Sequence, residues 1–575
     1  MLNNESLLKE ILLKQKLLDK AIVDESIKKA KDKGKDLKSY LLNNNIVSEE
    51  ALYETAAKHL SLPFVDLKDQ IVRKDILNLI PEPIVQVHNI FAFDKTGEEI
   101  KLACLDPEDI QIFEFIEKKT GLRPKIHITT PESIKSALKL YHKGLKAEFK
   151  EIKGEEDKGA DSPDLKKLAE DLPVVRIIDT ILEYAIFENA SDIHIEPSEK
   201  DTVIRYRIDG ILRDVMTLPK NVQSGVIARI KILSNLKIDE HRLPQDGRFK
   251  INIENQSVSF RVSILPVFDG EKVVLRLLRE SAQVLTLEQL GFLKKPLELI
   301  KRNIKKPHGV ILVTGPTGSG KTTTLYSVLN LLNSPKVNIS TVEDPIEYRM
   351  PRINQSQVNP KIGFSFATGL RSLLRQDPNI IMVGEIRDKE TAEIAIHSAM
   401  TGHLVLTTLH TNDAATTLPR LVKMGVPSFL IASTTNIIIA QRLVRKICLG
   451  CIESYTLNKK NIEELEKQIN FKEVLKVLER EGAIISSAQS LDSLLFYRGR
   501  GCKKCNGEGY KGRIGIYEIL ENTEEIAKLL LEGASAEEIH KKALEQGMIT
   551  VLQDGFFKAK TGVTSIEEVL RVTQE

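Results

Sequence analysis

The sequence predicts a multidomain α/β protein, and three observations carry that expectation. A chain of 575 residues has room for roughly three to five domains, at least one with a large buried core. In its second half, short apolar runs (Val310–Thr314, Asn338–Val342, Ile380–Val383 and Leu404–Thr408) alternate with helical stretches, which is how a parallel sheet covered on both faces reads in sequence. The first of these runs leads into a glycine-rich loop, Gly315-Pro316-Thr317-Gly318-Ser319-Gly320-Lys321-Thr322, and then into a helix over Thr323–Leu332.

Taken in order, residues 1–142 read as short helices with a weak repeat. Leu12-Leu13 with Leu17-Leu18-Asp19 returns as Leu41-Leu42 with Ile46-Val47-Ser48. Each copy ends on a polar cap that opens a helix, so two helical hairpins are expected, followed by mixed strands and helices to Tyr141. Residues 143–172 hold 7 Lys and 9 Asp/Glu with one aromatic, Phe149. Such a segment buries too little apolar surface to offset its ordering entropy and reads as a flexible charged linker, which predicts loose coupling of the N-terminal region. Residues 173–280 open with a helix through Phe187 and continue as strands, among them Val203–Ile208 before Asp209-Gly210, then 258–264 and 272–278. This is a small α+β domain. The α/β domain occupies 281–575 and includes a cysteine module at 446–515.

Composition excludes several classes. Lys+Arg 83 against Asp+Glu 80 leaves a net charge of +3, and aromatic residues are 5% with no Trp, so neither a basic field nor stacking platforms point to nucleic acid. No apolar stretch approaches the length of a membrane span, and Met1-Leu2-Asn3-Asn4-Glu5 lacks the basic-then-apolar order of a secretory leader; a cytoplasmic protein with no transmembrane segment is expected. Four of the five cysteines form two Cys-x-x-Cys pairs, whereas Cys104 reads as a small buried hydrophobe.

The glycine-rich loop satisfies the phosphate-loop pattern in its proper strand–loop–helix setting. Its backbone N–H groups and the helix N-terminus cradle phosphates, Lys321 supplies a cation, and Thr322 a hydroxyl for Mg²⁺. Hydrolysis also needs carboxylates. Glu343 and Glu347 lie in Thr341-Val342-Glu343-Asp344-Pro345-Ile346-Glu347, and Glu385 follows the apolar run ending Met382-Val383-Gly384. In a parallel sheet these strand ends share the edge of the phosphate loop. The run from His403 to His410 is expected to place two histidines near that edge. Spacing alone does not choose between Glu343 and Glu347.

With these residues assembled, Glu343–Glu347 resembles the Asp box, Gly384-Glu385 the atypical Walker B and His403–His410 the His box of the secretion-type ATPase superfamily, the hexameric motors of type IV pili and type II secretion. Val358–Gly363 and Asn338–Thr341 are more similar to the pilus assembly ATPases than to the secretion ATPases. The resemblance covers 173–575 densely. It implies a PAS-like middle domain, a RecA-like core that hydrolyses ATP, a homo-hexamer, and force delivered to an inner-membrane platform protein at the inner face of the cytoplasmic membrane to drive pilin polymerisation. It further implies that Glu347 activates the attacking water, with Glu343 its rival, that Glu385 holds Mg²⁺ through water, and that His410 senses the γ-phosphate. Arg261 and Arg276 match middle-domain arginines that reach the phosphates; Arg371 and Arg375, one helical turn apart before Gln376-Asp377-Pro378, are expected at subunit contacts instead.

Cys448-Leu449-Gly450-Cys451 and Cys502-Lys503-Lys504-Cys505 are separated by 50 residues, against about 15–20 in usual four-cysteine sites. The longer loop costs only ~1 kcal/mol more to close, so structural Zn²⁺ is expected ahead of metal-free or redox thiols, and Gly507–Ile516 resembles the superfamily's sequence after its second pair. The N-terminal hairpins resemble a domain that in some of these ATPases binds cyclic di-GMP through Arg-Leu-Gly…Gly…Gln motifs. This chain has Lys35-Asp36-Leu37, Asn45 and His59 near those positions, which ranks platform docking ahead of nucleotide binding there. The competing functions are a type II secretion ATPase, a nucleic-acid translocase and a nucleotide-sensing scaffold.

Overall fold

The computed structural model describes the chain except for residues 1–4, 33–35, 45, 69–71, 78, 81–83, 86–87, 139–171, 254–255, 280–283, 488–490, 506 and 575. It divides into two compact units, Met1–Leu277 and Leu278–Glu575.

In the first unit, the repeat forms helices Glu5–Lys14, Lys20–Asp32, Leu37–Asn43 and Glu49–His59. Their apolar positions Leu8, Ile11, Leu12, Leu41 and Leu52 are buried. Ser48 caps the fourth helix, its Oγ accepting the Ala51 N–H at 3.2 Å. Strands β1 (Ile90–Thr96), β2 (Glu99–Cys104) and β3 (Arg123–Ile128) form a sheet in that order, and Cys104 is buried. The linker expected at 143–172 lies outside the described residues, apart from Leu172, which opens helix Leu172–Phe187.

Contact with that helix is closer than a charged linker implies. His88 bridges Asp109 through Nδ1 and the Tyr184 hydroxyl through Nε2, each at 2.8 Å, and Phe115 meets Tyr184 edge to face at 5.3 Å. Charge composition described the connecting segment but not the apolar faces it joins.

Strands β4 (Asp192–Pro197), β5 (Asp201–Ile208), β6 (Ile211–Pro219), β7 (Gln245–Ile253), β8 (Gln256–Val267) and β9 (Gly270–Arg279) form one sheet, ordered β6-β5-β4-β9-β8-β7. Ile193, Tyr206, Phe260, Val262 and Leu275 are buried on its inner face, and the residues between them project outward.

The second unit is built on a seven-stranded sheet, ordered β12-β11-β13-β14-β10-β15-β18. The strands are β10 (Gly309–Thr314), β11 (Ile339–Glu343), β12 (Ile353–Gln357), β13 (Ile380–Val383), β14 (Leu404–Leu409), β15 (Thr435–Ile447) and, after the short pair β16 (Ile452–Thr456) and β17 (Leu495–Gly499), β18 (Tyr510–Glu521). Pairing is parallel from β12 to β15 and antiparallel for β15–β18. Adjacent residues feed two cores: Val310 and Leu312 pack on one side, Ile311 and Val313 on the other. A strand that feeds both cores is apolar throughout, which is why these runs read as continuous. Among the described residues no helix is long and apolar enough to cross a membrane.

Candidate nucleotide site and cysteine cluster

β10 runs into the phosphate loop, and helix Lys321–Leu332 begins at Gly320, whose φ is 86°. Gly315 has φ 144°, and a Cβ there would come within 2.4 Å of the Gln441 carbonyl oxygen, so the backbone of β15 admits only glycine. Thr322 and Thr323 lie in the first helical turn, half-buried. Lys321 Nζ donates to the carbonyls of Gly315 and Pro316 at 2.9 and 3.1 Å. Burial pulls its pKa below the usual lysine range, and the charge of Glu385 partly opposes that shift.

Gln441 is a functional neighbour that the motif does not reveal. Its Nε2 donates to the Ser319 carbonyl at 2.6 Å and its Oε1 accepts from Thr324 Oγ1 at 2.7 Å. It thereby pins the loop to the helix that follows. Only strand pairing brings it there, from more than 100 positions away.

Because β10, β11, β13 and β14 are parallel, their C-terminal ends share the loop's edge. Glu385 follows β13; its Oε1 lies 2.5 Å from Arg387 Nη2, and its Oε2 lies 3.3 Å from His410 Nε2. The turn is held by Thr408 Oγ1, which donates to the Gly384 carbonyl at 2.7 Å. His403 does not join this edge. It precedes β14 at the opposite end, with Nδ1 2.9 Å from the Ser398 carbonyl, since a six-residue strand separates the two histidines by about 20 Å.

The two rival carboxylates differ sharply. Glu343 is 2% exposed and accepts from Tyr326 Oη at 2.5 Å, Thr341 Oγ1 at 2.6 Å and Gln355 Nε2 at 3.2 Å. Burial raises its pKa above the ordinary glutamate value against the pull of those donors. Glu347 is half-buried beyond the strand end, its backbone N–H donating to Tyr326 Oη at 3.4 Å. Tyr326 thus holds both acid positions and is a second residue that the motif pattern does not show.

Arg261 and Arg276 lie in the first unit, on the outward face of the six-stranded sheet, both exposed. Arg276 Nε donates to Asp192 Oδ1 at 3.0 Å. In the second unit, Arg371 pairs with Glu390 at 2.5 Å.

All four paired cysteines converge. Sulfur separations are 3.7 Å for Cys448–Cys502, 3.8 Å for Cys451–Cys505 and 3.7 Å for Cys502–Cys505, and all four sulfurs lie within 4.8 Å of one another. A tetrahedral Zn–S length of about 2.3 Å requires an edge of about 3.8 Å, so the donor set fits a zinc ion. The Cys502 and Gly509 N–H groups donate to Cys505 Sγ, each at 3.2 Å. The described residues between the pairs fold back on the C-terminal helices, burying Phe471, Val474 and Leu478 against Phe556 and Val569, and include β17. There a Cβ on Gly499 would meet the Gly509 carbonyl at 2.0 Å.

A phosphate loop, a strand-end acid and a histidine on a mostly parallel sheet, with two strands between β10 and β11, define a RecA-like P-loop ATPase. The family described as "Type II/IV secretion system protein" matches residues 167–571, and the MshEN domain matches 60–148. The type IV pilus assembly ATPase PilB of Myxococcus xanthus is 40% identical over 542 residues, 92% of each chain. The type II secretion system ATPase E of Vibrio cholerae is 44% identical over 441 residues, 73% of this chain and 82% of its own. The ATPase DotB of Yersinia pseudotuberculosis shares the fold, with a TM-score of 0.50 at 23% identity over 70% of this chain and 93% of its own. The chain belongs to the type II/IV secretion ATPase family.

Proposed function

We propose that this chain is a hexameric motor that hydrolyses ATP to drive type IV pilus assembly, acting at the inner face of the cytoplasmic membrane on an inner-membrane platform protein. The observation that carries the reading is the joint placement of Lys321, Glu385 and His410 at one sheet edge, in a chain that matches a pilus assembly ATPase over 92% of both lengths. The second reading, a type II secretion ATPase, is favoured by a secretion protein E of Xanthomonas campestris, 39% identical over 95% of this chain.

In this mechanism the loop from Gly315 to Thr323 grips the triphosphate, and Lys321 exchanges its two loop carbonyls for phosphate oxygens. Glu347 takes the proton of the attacking water. Glu343 is the weaker candidate because its oxygens are already occupied by Tyr326, Thr341 and Gln355. Mg²⁺, when bound, would neutralise charge on the β- and γ-oxygens, with Thr322 and, through water, Glu385 as its holders. His410, hydrogen-bonded to Glu385, reports the γ-phosphate. Arg261 and Arg276 complete the site of a neighbouring copy. Cys448, Cys451, Cys502 and Cys505 would hold a structural Zn²⁺, and with four thiolates as its ligands no chemistry is assigned to it.

The N-terminal region docks on the platform. The MshEN match over residues 60–148 supports cyclic di-GMP as a secondary ligand of this region; Lys35 and Asn45 lie outside the described residues. The test of the ring is turnover per chain against protein concentration, expected to rise to a plateau as rings form. Mixing Arg276→Ala with Lys321→Ala chains should recover activity, because each mixed ring can join intact halves. Concentration-independent turnover with no recovery would leave an ATPase working as a single chain.

A further inference from the structure

The N-terminal region meets the first helix of the middle domain through a set of contacts centred on His88. Its Nδ1 lies 2.8 Å from Asp109 Oδ2 and its Nε2 lies 2.8 Å from the Tyr184 hydroxyl. Asp109 occupies the N-cap position of helix Ile110–Thr120, yet its carboxylate makes no capping bond to that helix; it faces His88 instead. With Nδ1–H donating to the carboxylate, Nε2 accepts from the tyrosine hydroxyl, and all three groups are satisfied in one chain of hydrogen bonds.

On helix Leu172–Phe187, Tyr184 and Phe187 lie three positions apart and share a face. Phe115 meets both rings, each at 5.3 Å, and Lys118 Nζ lies over the Phe187 ring at 5.6 Å. Lys119 pairs with Glu183, and their side chains are 22% and 30% exposed, so water and salt screen this pair less than one on an open surface. The same helix is fixed to the six-stranded sheet by Tyr206 on β5, whose Oη donates to the Ile181 carbonyl at 2.6 Å. His88, Asp109, Phe115, Lys118 and Lys119 precede the charged segment at 143–172, whereas Glu183, Tyr184 and Phe187 follow it. One contiguous core of buried side chains runs from Leu8 in the first helix to Leu275 on β9. Domains that move independently keep separate cores; these two share one.

We propose that helix Leu172–Phe187 is a docking surface for this chain's own N-terminal region, with His88 and helix Ile110–Thr120 as the clamp. The N-terminal region and the six-stranded sheet then move as one body. A partner bound to the N-terminal region acts on the sheet through Tyr184 and not through the charged segment. The clamp is a contact within one chain, so it stands or falls separately from the ring.

The test uses the full chain with a protease recognition sequence inserted between Lys153 and Gly154. After complete cleavage the two pieces should still co-elute in gel filtration. Lys119→Glu sets two carboxylates against each other and should weaken the association of the pieces about tenfold or more. Adding Glu183→Lys should bring it back to within about threefold of the original, because the reversed pair attracts again. His88→Phe keeps an aromatic ring but loses both hydrogen bonds, and should also weaken association about tenfold or more; Tyr184→Phe, which removes one hydroxyl, should weaken it less. In the uncut chain, Lys119→Glu should raise amide hydrogen exchange in both Ile110–Thr120 and Leu172–Phe187 and leave Lys321–Leu332 unchanged. Separation of the unmodified pieces on cleavage overturns the proposal, as does a Lys119→Glu defect that Glu183→Lys does not restore. So does exchange that rises in Ile110–Thr120 alone, which would make these contacts internal to the N-terminal region.

Discussion

At the nucleotide edge of the second unit the functional groups reach solvent, with the His410 side chain 49% exposed and that of Glu385 15%. At the cysteine cluster of the same unit, Cys448, Cys451 and Cys505 are buried and the four thiols face one another. The first centre is assembled by short loops at the ends of parallel strands, and its partners are exchangeable: Lys321 borrows loop carbonyls, and Glu385 is shared between Arg387 and His410. The second is closed by residues far apart in the chain, brought together by the antiparallel pair β15–β18. Open, borrowed contacts suit groups that must rearrange around a ligand. A closed tetrahedron suits a fixed point.

The difference is broken most forcefully at Lys321. Lys321→Ala should bring phosphate release to background, a loss of roughly 4 kcal/mol or more in transition-state stabilisation, with melting unchanged and the metal content of the cysteine cluster intact. A concurrent loss of metal would mean that the two centres are one cooperative structure.

Next in size is the acid pair. Glu347→Gln should cut kcat by ~10²–10⁴-fold with near-normal ATP binding, because the amide keeps the shape and loses the basicity. Glu343→Gln should act mainly on stability, by about 1–3 kcal/mol, since one of three buried donors loses its acceptor. If single-turnover measurements rank Glu343→Gln as the slower enzyme, the assignment of the base reverses.

At the other centre, Cys451→Ser or Cys505→Ser should abolish zinc, measured by elemental analysis as one ion per native chain. Melting should fall by about 5 °C or more, at roughly 2–4 °C per kcal/mol for a large domain. Turnover at low temperature should be largely kept. A native protein without zinc, or one whose melting ignores a chelator, removes the metal from the comparison.

A pH-dependent effect lies on β18, the strand that follows the second cysteine pair. Glu518 Oε1 accepts the Ala414 N–H at 2.9 Å, just beyond His410, and burial pushes its pKa from 4.5 up to about 7. The folded chain therefore keeps a proton that the unfolded chain releases. This penalty is absent below pH 4.5, grows as pH rises and levels off above about 7, at of order 3 kcal/mol. Denaturant titrations across that window should show the slope, and Glu518→Gln should flatten it.

Much of this molecule was legible as sequence because it is local. The phosphate loop, the strand-end acids and the helical repeat each depend on residues a few positions apart, and 2-residue or 3.6-residue periodicity assigns a face wherever a partner surface exists. The Cys-x-x-Cys pairs were likewise legible, since thiol spacing is a local signature of metal binding. What stayed hidden depends on which strand lies beside which. The sequence left Glu343 and Glu347 equal, whereas the packing of Tyr326 and Gln355 buries one and leaves the other half-buried. It put His403 and His410 together, whereas a strand's length parts them. Gln441 meets the phosphate loop only through the pairing of strands. Such pairings are settled by burying both faces of a sheet at once, a free-energy balance summed over the whole core that no short window of sequence contains.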